Sequence, residues 1–431
     1  MRACSSSSHP AVTALAERRR VTISSPAPDG WPPSLQLLLG EASADLWGAV
    51  LGSAGRLRSL RATGVTLQPD GASTVQYSAA VSWADGRDTR EALAATTGAR
   101  IPPGAAVVEG ATDAGTVQVG LWRWPLDPAL PGLEWASSSA EVARRLGELG
   151  LIDCPPRLQL RSYRPGRRAV VEARTARSRL FLKVMRPSAV ERLVARHRLL
   201  AGAVPVPPVL TATADGVVVL PGLPGTSLRA LLAGNGAGLP DPAALDEILD
   251  ALPPAVAGLS TPGRRVPGDA LSRVADHAAV LGAVAGSLRP RLDALTATLS
   301  RADPGIHERV PVHGDFYEAQ LLVDGGAVVG LLDVDTAGGG HRIDDWATLL
   351  AHLVVLEQVL PRPGTAAAYR RSLQDAALRR WPAGQLQPRV SATLLGLATG
   401  PFRVQQAGWP DRTAERLALA EEWAGPIALA A

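Results

Sequence analysis

VHGDFYEAQLLV, residues 312–323, followed closely by VVGLLDVD, residues 328–335, decides how this chain reads. Each segment sets a carboxylate beside an apolar, strand-like run: Asp315 just after one short strand and Asp333 at the C-terminal end of another. Such a scaffold can present two acids rigidly at one cleft. Gln320, five residues beyond Asp315, adds an amide oxygen, and with Asp333 it offers the hard oxygen ligands that magnesium takes, leaving room for water and phosphate oxygens. The complementary positive charge is Lys183, the only lysine among 44 lysines and arginines, in the strand-like run RLFLKV at 179–184. In a chain this poor in lysine, a surviving one marks a place for a compact ammonium where a planar guanidinium would not fit. A chance survivor on a strand edge is the competing reading of that residue alone.

Working outward, three strand candidates precede the acids: RLQLRSY (157–163), RAVVEA (168–173) and SRLFLKV (178–184), the first two joined by the tight turn RPGR. PSAVERLVARHRLLA (187–201) reads as a helix opened by Pro187, where a missing N–H costs nothing, and GVVVL (216–220) as a buried strand. From residue 227 the pattern is mainly helical, longest at 271–301 and 344–357, with a β-type island between 310 and 333. Upstream, SSSAEVARRLGELG (137–150) is a capped helix. Val75, Tyr77, Ala79, Val81 and Trp83, and later Val117, Val119 and Leu121, alternate with mostly polar residues, so 31–140 reads as a small β-rich domain. Residues 1–30, rich in Ser, Pro and Ala, read as a disordered leader.

At 431 residues the chain is too long for one core. A net charge of +4 and the absence of an arginine block interleaved with aromatics argue against nucleic acid. No apolar run approaches a membrane span, and the N-terminal residues lack the apolar core of a secretory signal. Two distant cysteines, Cys4 and Cys154, fit a reducing cytoplasm. Nothing fixes an oligomeric state.

Over roughly residues 155–425 the set Lys183, HGD, Gln320 and Asp333, in this order, resembles the aminoglycoside phosphotransferase family of small-molecule kinases. Supporting matches are SYRPGRR, the VPVP segment and IDDWA (343–347). The resemblance implies an α+β, two-lobed protein-kinase-like fold, with a small antiparallel β lobe (151–220) and a mainly helical lobe (221–431), preceded by the β-rich domain. It implies transfer of the γ-phosphoryl group of ATP, with magnesium, to a hydroxyl of a small polar acceptor. Asp315 would be the catalytic base, Gln320 and Asp333 the metal ligands, and Lys183 the contact to the α- and β-phosphates. Glu191, or in its place His197 or a water, would partner Lys183, and Tyr163, Arg164, Gly166 and Arg167 would lie near the phosphates. The N-terminal domain resembles the cap of maltokinase-like proteins.

Glutamine stands at 320 where the family has asparagine, which keeps the carbonyl ligand but adds a bond to order. His313 reads as a support of the catalytic loop rather than a base. Asp335 is either a second metal or substrate contact or a turn residue. Asp345 reads as a helix-start anchor for the loop and Asp344 as a cap. Trp346, Trp381, Trp409 and Trp423 read as core. The acceptor stays open between an aminoglycoside and a sugar, and a nucleotide-binding scaffold without turnover is the reading from another class.

Overall fold

A computed structural model describes residues 20–22, 30–112, 115–259 and 269–425. Cys4 and most of the expected leader lie outside the described residues. Within that leader β1 (Arg20–Thr22) runs parallel to a later strand, because a sheet edge offers unpaired backbone groups to any nearby extended chain. The first unit then builds α1 (Pro33–Leu39), α2 (Ala42–Leu51), β2 (Gly55–Leu67), β3 (Ser73–Trp83), β4 (Asp88–Thr97), β5 (Ala106–Thr112) and β6 (Gly115–Arg123) into one sheet of order β1-β5-β6-β4-β3-β2. Along β3 the expected alternation holds: Val75, Tyr77, Ala79 and Val81 are buried under the two helices, and the Tyr77 hydroxyl donates to the Leu38 carbonyl at 2.7 Å.

A strap containing α3 (Leu133–Ala136) and α4 (Ser139–Glu148), the latter capped by Ser138 accepting from the Glu141 N–H, leads into a second antiparallel sheet. Its strands β7 (Arg157–Arg164), β8 (Arg168–Arg174), β9 (Arg179–Met185), β10 (Thr211–Ala212) and β11 (Val217–Pro221) lie in the order β10-β11-β9-β8-β7. Helix α5 (Pro187–Leu200) packs beside it on Leu193 and Val218.

The remainder is helical: α6 (Leu228–Ala233), α7 (Pro242–Asp250), α8 (Val274–Val284), α9 (Arg289–Ser300), α10 (Arg342–Val359), α11 (Gly364–Arg380), α12 (Ala383–Ala398), α13 (Gly400–Arg403) and α14 (Trp409–Ala424). The single helix expected over 271–301 is two, broken at Ala285, because Pro290 can only sit in the first turn of a new helix. Set into this lobe are the three-stranded sheet of β12 (Thr226–Ser227), β14 (Leu321–Asp324) and β15 (Ala327–Leu331), and the pair β13 (Val310–Val312) with β16 (Gly338–Gly340). The lobe's core centres on Phe316, Trp346 and the leucines of α10 and α12, with Trp381 and Trp423 packed against it. The fold is thus α+β and two-lobed, of the protein-kinase type, with a β-rich unit in front.

That first unit leans on both lobes. Its core includes Val284 and Phe402 of the helical lobe, and Trp31 donates to the Val284 carbonyl at 3.1 Å. On the other side, the Trp122 indole donates to the Tyr163 hydroxyl at 3.0 Å.

Candidate active site

Alternation along β9 sends Leu182 and Val184 into the sheet's packed face and Lys183 to the opposite one, toward the helical lobe. There the Lys183 ammonium donates to Asp333 Oδ1 at 2.9 Å and to Asp335 Oδ1. Arg168, at the start of β8, reaches the same acids: its guanidinium spans both oxygens of Asp333 at 3.2 Å each and meets Asp335 Oδ2 at 3.2 Å. Burial opposes the charge on Asp333, yet Lys183 and Arg168 outweigh it and hold the carboxyl well below the usual carboxylate range. The same acids keep Lys183 protonated above its ordinary range despite its burial. Asp333 adopts left-handed backbone geometry, φ 53°, a strained setting for a residue with a side chain and one that recurs at functional sites.

The loop carrying Asp315 follows β13. Gly314, at φ 76°, supplies the turn that a side-chain-bearing residue resists. Asp345, at the start of α10, ties the loop down: its Oδ2 accepts from the His313 N–H and its Oδ1 from the Gly314 N–H, both at 2.8 Å. Burial raises the Asp345 carboxyl against the pull of His313 and these two N–H groups. His313, itself fully buried, bonds the Leu332 carbonyl through Nε2 at 2.9 Å, joining the Asp315 loop to the strand end that bears Asp333. Asp315 is half-buried, and its charge is felt by Arg164, Arg168 and Tyr317, which places it at the same cleft. Gln320 is 6% exposed and holds the loop through backbone bonds to Tyr317 and Leu332, while its side-chain amide makes no hydrogen bond among the described residues.

Lys183, Asp315, Gln320, Asp333 and Asp335 therefore converge. Glu191 does not: it is exposed on α5, and the acid partners of Lys183 are Asp333 and Asp335 instead. The helix turns Arg196 and His197 inward in its place, with Arg196 donating to the Ala337 carbonyl at 3.0 Å and His197 bonding the Pro207 carbonyl at 2.8 Å. The β7–β8 turn also differs from expectation. Asp127, from the strap, accepts from the Gly166 N–H at 2.7 Å and from the Tyr163 hydroxyl at 2.8 Å, so Tyr163 braces the turn from behind. Arg186 adds a bond to the Gly166 carbonyl at 2.8 Å. Arg164 and Arg167 stay exposed at the turn. Asp344 is no simple cap: it is buried and paired with Arg389 at 2.9 Å.

Arg168 and Asp127 escape a reading of the sequence. Arg168 is one arginine among many in SYRPGRR, singled out only by the strand register that aims it at Asp333. Asp127 lies in the proline-broken run WPLDP, whose spacing marks a loop and gives no hint of a partner 39 residues on.

The two lobes, with these acids, lysine and amide between them, belong to a chain of the phosphotransferase class. The phosphotransferase enzyme family model, APH, matches residues 159–383, and the chain belongs to that family. No curated protein matches the chain. Among solved structures, a thermostable mutant of aminoglycoside phosphotransferase APH(4)-Ia in ternary complex with ADP and hygromycin B aligns with TM-score 0.46 and 15% identity, over 67% of this chain and 98% of that one. The macrolide 2′-phosphotransferase MphH from Brachybacterium faecium aligns with TM-score 0.40 and 19% identity, over 64% and 97%. The family match begins beyond the N-terminal unit, so the expected likeness of that unit to maltokinase caps finds no support there. No helix among the described residues is long and apolar enough to cross a membrane.

Proposed function

We propose that this protein transfers the γ-phosphoryl group of ATP to a hydroxyl of a small polar molecule, with magnesium, in the cytoplasm. The observation that carries the reading is the meeting of Lys183 and Arg168 with Asp333 and Asp335 beside the Asp315 loop, from positions 150 to 167 residues apart in the chain. The donor set suits magnesium and a nucleotide. Asp333 and Gln320, with Asp335 beside them, offer hard oxygens to magnesium, and the Gln320 side-chain amide makes no hydrogen bond among the described residues. Lys183 and Arg168 are the cations that would turn from these acids to the nucleotide phosphates. Magnesium, when bound, would neutralise charge on the phosphate oxygens.

In the transfer step Asp315 accepts the proton of the acceptor hydroxyl. The acceptor oxygen forms a bond to the γ-phosphorus as the bond to the β–γ bridging oxygen breaks, and ADP leaves with that electron pair. His313 and Asp345 hold the base in place through the loop backbone. Little covalent work falls to the protein, so positioning and charge neutralisation do most of it.

Asp315→Ala tests the assignment: ATP consumption with an accepted acceptor should fall by at least about a hundredfold, while the dissociation constant for ATP moves little. Equal turnover in the variant would remove Asp315 from the reaction. A nucleotide-sensing module without turnover is the second reading, favoured by the Gly166 N–H being already taken by Asp127. ATP binding by the wild type with no turnover on any acceptor would select it.

A further inference from the structure

Beyond Asp315, on the helical-lobe side of the cleft, the charge is positive. Tyr317 stacks on His352 of α10 with ring centroids 4.1 Å apart, forming an aromatic floor two residues from the proposed base. Arginines from three separate elements surround this floor: Arg229 on α6, Arg403 at the end of α13 and Arg416 on α14, with Arg164 at the end of β7 close to Arg403. Arg229 has a carboxylate, Glu318, at 3.4 Å. Arg164, Arg403 and Arg416 make no ion pair among the described residues, and Arg416 is held in place by donating to the Leu397 carbonyl at 3.0 Å.

These like charges act on one another. Burial, then Arg229, Arg403 and Arg416, push the His352 imidazole down to about 3, so it stays neutral. Arg164 lies within the field of the Arg168 and Arg403 guanidinium groups as well as that of the Asp333 and Asp315 carboxylates. Arg416 is lowered by burial and then by Arg403 and Arg412. Unpaired guanidinium groups gathered in a cleft repel each other, and an anion placed among them relieves that repulsion. The planar fork of arginine fits the oxygens of a carboxylate or phosphate. A polycationic acceptor would be repelled by the same field.

We infer that the hydroxyl acceptor is an anion, bearing a carboxylate or phosphate group that Arg403 and Arg416 hold, with Arg229 nearby, while its hydroxyl faces Asp315. This rests on the reading of Asp315 as the base. Glu318 is buried against Arg229 alone, so it leaves Arg403 and Arg416 without a carboxylate among the described residues.

The test compares four hydroxyl-bearing probes in an ATP-consumption assay at matched ionic strength: glycerate, glucose 6-phosphate, glucose and hygromycin B. Turnover should favour one of the two anions by about tenfold or more in kcat/KM, with glycerate against glucose 6-phosphate telling carboxylate from phosphate recognition. Arg403→Gln, an exposed position that should fold normally, should raise the KM for that anion about tenfold and leave the KM for ATP within about twofold. Preference for glucose or hygromycin B would overturn the inference while leaving the phosphotransferase reading standing. A parallel measurement takes the thermal midpoint with magnesium and AMP-PNP plus each probe, in wild type and Arg403→Gln. No rise specific to an anion, or an equal rise in the variant, overturns the anion pocket. A rise lost in the variant, together with no ATP consumption by the wild type, keeps the pocket and overturns the phosphotransferase reading.

Discussion

Lys183 shows how tightly a single residue is specified here. Its ammonium sits between two carboxylates with the Arg168 guanidinium alongside, its side chain 8% exposed. Lys183→Arg keeps the charge, yet a larger fork must enter a space already bounded by Arg168. We expect a loss of about 1–3 kcal/mol in stability and a clear rise in the KM for ATP; unchanged kinetics would show that the ammonium is not required. Asp345→Asn should be nearly as disruptive. An amide has one acceptor oxygen, so one of the His313 and Gly314 N–H groups would face an NH2, at a cost of about 1–3 kcal/mol in unfolding free energy, read from a denaturant titration, and kcat would fall with it. Asp315, Gln320, Asp333 and Lys183 were legible because their order and spacing are local facts of the chain. Glu191 was misread because a helix shows one face inward, and the register of α5 gives that face to Arg196 and His197, which only packing against Ala337 and Pro207 decides.

At the scale of elements, the β7–β8 turn and the strand β16 set the strictest demands. Gly166 sits at φ 66°, and the strap carboxylate of Asp127 fixes its N–H. Asp127→Ala frees the turn without touching Asp315. The expected outcome is a several-fold rise in the KM for ATP with kcat on the acceptor little changed; a fall in kcat alone would show that the clamp serves the acceptor side instead. In β16, a Cβ at Gly339 would collide with the Ala257 carbonyl and the Arg309 side chain, so Gly339→Ala should destabilise the β13–β16 pair and with it the Asp315 loop. The strands around Lys183 were readable from their alternation and the RPGR turn. The break in the α8–α9 run was written in Gly286 and Pro290 as well, but a long apolar period masks it.

For the whole molecule, acid sensitivity follows from buried imidazoles. His277 is lowered to about 4, mainly by burial and then by Arg273, and His352 to about 3. Each is neutral in the folded state and takes up a proton more readily when unfolded, so its contribution is fully present above about pH 6.5 and is lost as pH falls toward the folded value. By pH 5 each costs up to about 2 kcal/mol, and His352→Gln should flatten the decline of thermal midpoint between pH 7 and 5. The N-terminal unit shares Phe402 and Val284 with the helical lobe and holds the β lobe through Asp127 and Trp122, contacts between distant parts of the chain that no local pattern reveals. One further property belongs to the chain as a whole. With a single lysine in 431 residues, an amine-directed acylating reagent has one side-chain target, and its attachment would yield one modified internal peptide. Because Asp333 and Asp335 keep that amine buried and protonated, it should label slowly in the folded protein and fast once the lobes part, so the labelling rate reads by mass how firmly the junction is closed.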